Sequence, residues 1–124
     1  KPVLYKIDQI YGISQRKFLI PISQYDENWM SKAIEMYGDS GDIAILVSSS
    51  GNSKNVIKAA GVARDMNIKV VTFSGFLIDN PLKQCGDINF WVDSKAYNII
   101  ENIHMIWLAA ICDSIIGKAE YSVS

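Results

Sequence analysis

The sequence predicts an α/β protein built on a parallel sheet, and three observations carry that reading. Apolar runs of strand length at residues 43–47, 69–73 and 88–92 alternate with stretches patterned at helical spacing. The run Ile43-Ala44-Ile45-Leu46-Val47 is apolar throughout rather than alternating, which fits a strand covered on both faces. Strand–helix–strand order gives right-handed βαβ units, and these set neighbouring strands parallel.

The elements follow in order. Val3, Ile7, Ile10 and Tyr11 are spaced for one helical face, so a short helix is expected over 3–11. Phe18-Leu19-Ile20-Pro21-Ile22 reads as a strand, with Pro21 placing it at an edge or a strand end. Asp26 and Glu27 suit a first helical turn. Trp29, Met30, Ala33, Ile34 and Tyr37 continue at helical spacing, and Gly38 is the stop. After the strand 43–47, residues 54–66 form a helix with Val56, Ile57, Ala60, Ala63 and Met66 inward. Lys69-Val70-Val71-Thr72-Phe73 is the next strand. Residues 74–83 hold Gly75, Asp79, Asn80 and Pro81 and read as a loop. Ile88-Asn89-Phe90-Trp91-Val92 is a further strand, and 97–116 a long helix ended by Gly117.

That last helix is apolar on more than one face. Ile99, Ile103, Ile106 and Ala110 share one, Ile100, Trp107 and Ile111 another, and Met105, Leu108 and Cys112 a third. A helix apolar all round needs cover all round. It is therefore expected to pack on the sheet and against a partner subunit.

Composition sets the outer limits. The 124 residues suffice for one domain with a real core, read as spanning 1–124. Twelve basic and 13 acidic residues leave a net charge of −1, with no basic block, so nucleic acid is not expected as a direct ligand. Cys85 and Cys112 have no metal-type spacing and read as reduced thiols of a cytoplasmic protein. The start, Lys1-Pro2-Val3-Leu4-Tyr5-Lys6, reads as no signal peptide. The longest apolar run, residues 105–112, is too short to span a bilayer, so no membrane partner is expected.

The chemistry is concentrated in Ser48-Ser49-Ser50-Gly51-Asn52-Ser53, between the strand 43–47 and the helix that follows. Free amides of a first helical turn and the positive end of the helix dipole favour an anion there. Serine hydroxyls donate to phosphate oxygens without adding charge. The turn lacks the Gly-Lys-Ser/Thr ending of a phosphate-binding nucleotide loop and has a single glycine, so neither nucleotide motif applies. On local chemistry alone a phosphate site stands at even odds with a solvated turn in which Ser53 is an ordinary helix cap. The loop after the strand 69–73 lies at the same carboxyl end of the sheet. There Asp79 has the chemistry to bond hydroxyls and also reads as a solvated loop residue.

The run Gly41-Asp42-Ile43-Ala44-Ile45-Leu46-Val47-Ser48-Ser49-Ser50-Gly51-Asn52-Ser53-Lys54-Asn55-Val56-Ile57-Lys58-Ala59-Ala60 resembles the signature of the sugar isomerase domain family. It is closest to the phosphoheptose isomerase branch, whose core reads Ser-Thr-Ser-Gly-Asn-Ser. Lys69-Val70-Val71-Thr72-Phe73-Ser74-Gly75 resembles the family's strand ending Leu-Thr-Gly, and Glu101-Asn102-Ile103-His104 its Gln-Glu-Ile-His. The resemblance covers about residues 25–116. It implies a three-layer, doubly wound, flavodoxin-like parallel sheet flanked by helices. It also implies a homodimer or homotetramer, for which helix 97–116 is the expected contact. Ser48, Ser49, Ser50, Asn52 and Ser53 would hold the phosphate of a sugar phosphate.

The resemblance also has gaps. The family's early strand, its Gly-Asn-Gly-Gly-Ser turn and the helix with a His and a Glu have no match in residues 1–24, as though residues were omitted there. The Gln that binds metal in zinc-containing members is Glu101. The catalytic, metal-associated His eight residues later is Ala109. Glu101 and His104, three apart on one helix, are the candidate acid–base residues, although a satisfied histidine in the helix interface is the favoured reading of His104. No metal ligand set and no required cofactor are expected. Besides a bland oligomeric scaffold whose loop holds only inorganic phosphate, two functions stay open. One is a ketose–aldose isomerase for a sugar phosphate in heptose or surface-polysaccharide precursor synthesis. The other is a non-catalytic sugar-phosphate sensor or interaction subunit, which Ala109 favours.

Overall fold

The computed structural model describes residues 28–120 in full and the backbone alone of 2–6 and 17–21. In chain order the elements are β1 (Pro2–Lys6), β2 (Lys17–Pro21), α1 (Trp29–Tyr37), β3 (Ile43–Val47), α2 (Lys54–Asp65), β4 (Lys69–Ser74), β5 (Ile88–Trp91) and α3 (Tyr97–Ile116). A single 3-10 turn, Leu82–Gln84, precedes β5.

β3, β4 and β5 form one parallel sheet in that order, with Ile45 opposite Val71 and Phe73 opposite Phe90. The β3–α2–β4 unit is the βαβ unit expected from the sequence. α2 ends where expected, with Met66 as its cap, and Asn67 turns the chain back in the left-handed region at φ 59°. Asparagine adopts that conformation more readily than most residues, and Asn67 Nδ2 donates to the Ser40 hydroxyl at 2.7 Å.

One face of the sheet carries the main core. Leu46 and Val70 pack with Val56, Ala59, Ala60, Ala63, Ile68 and Leu82, and Met30 and Ile34 of α1 close over them. The small side chains of α2 let it lie close to the strands. On the opposite face Phe73 stacks on Phe90 at 4.7 Å between ring centroids, and His104 and Trp107 of α3 pack against these rings. Helices thus cover both faces, giving the three layers of an α/β fold.

Several expectations change. Residues 3–6 form a strand, not the start of a helix, and β1 pairs antiparallel with β2. Four apolar residues over nine positions are a weak helical signal, and strand pairing with the β-prone segment 17–21 overrides it. Residues 7–11, Ile22, Asp26 and Glu27 lie outside the described residues. β3 was expected to be covered on both faces, yet Ile43, Ile45 and Val47 are 66, 50 and 42% exposed. α3 makes ring contacts with Phe73 of β4 and Phe90 of β5, and β3 is an edge of the described sheet. α3, expected to pack on the sheet and against a partner subunit, fully buries Ile100 and His104 within this single chain. With 20 residues and this composition it is long and apolar enough to cross a bilayer by those two measures, whereas the run 105–112 alone is too short. Its packing on Phe73 and Phe90 is that of a sheet-covering helix.

Candidate functional site

The serine turn begins where β3 stops. Ser48 extends the ladder by donating its amide to Phe73 O at 3.0 Å, and Gly51 then donates back to Ser48 O at 3.0 Å. Gly51 is buried with φ +68°, a conformation that costs a glycine nothing. Ser50 Oγ accepts the Asn52 amide at 3.3 Å, so its hydroxyl is tied into the turn.

Ser53 stands at the cap position of α2, but its hydroxyl makes no capping bond. It donates instead to Asn55 Oδ1 at 2.6 Å, and that oxygen accepts the Val56 amide at 2.8 Å. Asn55 therefore does the capping. The first backbone bond into the helix is from Ile57 to Ser53 O. The amides of Lys54 and Asn55 come before it and have no intrahelical acceptor. Ser48, Ser49, Ser50 and Ser53 are half-buried, while Asn52 and Lys54 are exposed. The turn thus combines serine hydroxyls with free amides at a helix N-terminus.

Glu101 comes to this turn from the first part of α3. Ser49 Oγ lies 3.5 Å from Glu101 Oε1, a long contact between exposed groups. A carboxylate at one end of an anion site repels the anion but suits a polar group that the anion carries. One helical turn before it, Tyr97 packs on Phe76 at 4.9 Å between centroids. Phe76 holds φ 59°, an uncommon and costly conformation for an aromatic residue.

His104 lies elsewhere. It is 2% exposed, its Nε2–H donates to Ser74 O at 3.0 Å, and its Nδ1 is buried with no hydrogen-bond partner. The structure brings Ser49 and Glu101 together and sets His104 beneath the end of β4. Ala109 is exposed on α3, and Asp79 is exposed in its loop.

Asn80 is the residue that sequence reading passed over. It lies in the loop after β4, with its side chain fully buried against the serine turn. The Asn80-Pro81 pair signals a turn in sequence, but nothing local marks its side chain as buried. Among the described residues no three His, Cys, Asp or Glu side chains are grouped to hold a metal ion. Both cysteines are free thiols.

No protein-family model matches the chain. It is 39% identical over 95 residues to a phosphoheptose isomerase of Colwellia psychrerythraea, covering 74% of this chain and 47% of that protein. It is 38% identical over 93 residues to one of Shewanella denitrificans, with 73% and 47% covered. The solved phosphoheptose isomerase of Neisseria gonorrhoeae superposes with a TM-score of 0.69 at 27% identity, covering 73% of this chain and 50% of that one. That of Francisella tularensis gives 0.66 at 26%, covering 70% and 47%. The chain spans about half the length of the curated relatives it matches. Sequence identity and superposition relate this chain to the phosphoheptose isomerases over that half.

Proposed function

We propose that residues 48–53 bind the phosphate of a sugar phosphate and that the chain is the phosphate-holding part of a ketose–aldose isomerase of the phosphoheptose type. The observation that carries this is the serine turn itself, in which half-buried hydroxyls surround a helix start whose capping is left to Asn55. The kinship to phosphoheptose isomerases supports the substrate class, with sedoheptulose 7-phosphate the first to test. On this reading the chain works in the cytoplasm on precursors of surface polysaccharide.

Glu101 is the proposed base. It takes a proton from the carbon next to the ketose carbonyl, giving an enediol, and returns it to the former carbonyl carbon. The hydroxyl proton of the first carbon passes to the former carbonyl oxygen, which becomes a hydroxyl as the aldehyde forms. The contact with Ser49 sets this carboxylate beside the cradle. His104, with Nε2–H given to Ser74 O, is proposed as an anchor of β4 rather than a proton carrier. The zinc of some relatives does not fit the residues present. Ala109 offers no ligand, and His104 is buried with its Nε2–H given to Ser74 O. No step is drawn through a metal.

Ala109 also favours a second reading, a non-catalytic subunit that binds a sugar phosphate and reports it to a partner. Exposed Met105 and Ile106 on α3 support assembly of two or four copies through that helix. One experiment separates the readings. NMR of sedoheptulose 7-phosphate with the chain in deuterated water should show exchange of the proton next to the carbonyl. Glu101→Gln should abolish that exchange and keep binding. Binding without exchange by the unaltered chain sinks the isomerase and leaves the sensor. Ser48→Ala and Ser53→Ala should each weaken binding by about 1–3 kcal/mol, the scale of a hydrogen bond to a charged group. Unchanged affinity in both rejects the phosphate site.

A further inference from the structure

Asn80 is 2% exposed, and its carboxamide is fully engaged. Nδ2 donates toward Ser74 Oγ at 3.1 Å, Gly75 O at 3.1 Å and Leu77 O at 2.8 Å. Oδ1 accepts the Lys83 amide at 3.0 Å. Two protons serving three acceptors means that one bond is shared, so the side chain has no spare donor.

The serine turn rests on this carboxamide. A Cβ built on Gly51 would overlap the Asn80 side chain, so the backbone of the turn touches it directly. Leu82, two residues beyond Asn80, donates its amide to Gly51 O at 3.0 Å. At the other end, Ser74 is held through its carbonyl by His104. A buried chain of contacts thus runs from α3 through His104, Ser74 and Asn80 to Gly51.

We propose that Asn80 is a positioning residue that holds the serine turn in its anion-binding shape before the anion arrives. This rests on the reading of the turn as a phosphate cradle. Gly51 is the flexible point of the turn, and a turn left free there must be ordered at the expense of binding. Fully satisfied buried polar groups fix a single arrangement. Alanine at position 80 removes the donor shared by Ser74 Oγ, Gly75 O and Leu77 O and opens a void under Gly51. Aspartate keeps the shape but places a carboxylate beneath the bound anion.

The test is a titration of the full chain with inorganic phosphate, followed through backbone amides by NMR, well below the melting temperature. Asn80→Ala should lower phosphate affinity by about tenfold and broaden the amides of residues 48–53. Val70→Ala, buried in β4 away from the turn, should lower the melting temperature without changing that affinity. Unchanged affinity in Asn80→Ala overturns the positioning role and leaves the cradle intact. An affinity that falls equally in Val70→Ala overturns it too, since loss would then follow stability alone. Should Asn80→Ala not fold, the unaltered chain decides. Its Asn80 carboxamide resonance should shift as phosphate fills the turn, and a resonance that stays put while the Ser49 and Ser50 amides move overturns the proposal. No phosphate binding by the unaltered chain, or full binding by both Ser48→Ala and Ser53→Ala, removes the cradle and this proposal with it.

Discussion

Asp87 accepts the Val70 amide at 2.8 Å through Oδ2, and its own amide donates to Val70 O at 2.8 Å. This residue closes the start of the β4–β5 register. The Val70 amide is the main cause that holds the carboxyl below its ordinary value. Desolvation works against it, and the Lys69 ammonium, 3.7 Å away, and Arg64 add to it. A carboxyl whose folded value is depressed adds stability above its ordinary titration range, and that stability is lost as pH falls through the lowered value. Asp87→Asn should therefore melt earlier than the unaltered chain at neutral pH, with the gap closing in acid. Thermal melts across a pH series check this, and a gap that stays constant with pH contradicts it. At this scale the sequence is uneven as a guide. Ser48 to Ser53 announce themselves because hydroxyls, glycine and a helix start are contiguous. Asn80 does not, because its burial depends on Gly51, which lies in another loop.

α3 shows the same division between local and distant causes. Its bounds are legible to the residue, since Gly117 at φ 85° gives the left-handed stop that the sequence predicts. Its surroundings are not, because helical periodicity says which residues are apolar and not what covers them. Ile100 and His104 meet the sheet, while Ile99, Met105 and Ile106 stay exposed. If these residues form the proposed contact between copies, Ile106→Asp should shift the mass from light scattering to that of one chain and leave the circular dichroism spectrum unchanged. A mass that does not move rejects α3 as the contact. β1 illustrates the reverse error. Val3, Ile7, Ile10 and Tyr11 fit a helical face, but Val3 opposite Ile20 and Tyr5 opposite Phe18 place residues 2–6 in a strand pair. Pairing partners distant in sequence cannot be seen in a nine-residue window.

Across the whole molecule the α/β class was readable because a βαβ unit is contiguous, and β3, α2 and β4 fall where their apolar patterns put them. The extent of cover was not readable, and β3 is where this matters. Its Ile-Ala-Ile-Leu-Val carries no charge, proline or glycine, and on the side away from β4 no described strand pairs with it. Such a strand is a ready template for another chain's backbone, and natural proteins usually blunt it with lysine, proline or a bulge. The exposed side chains of Ile43, Ile45 and Val47 would add a dry interface between stacked strands. The chain by itself should therefore aggregate with rising concentration and develop a thioflavin signal. Ile45→Lys, at a half-exposed position, should raise the concentration at which that signal starts without lowering the melting temperature. An identical onset in the variant would acquit β3. The strand that carries the serine turn at one end is, along the side where no described strand pairs with it, a point at which the chain can misassemble.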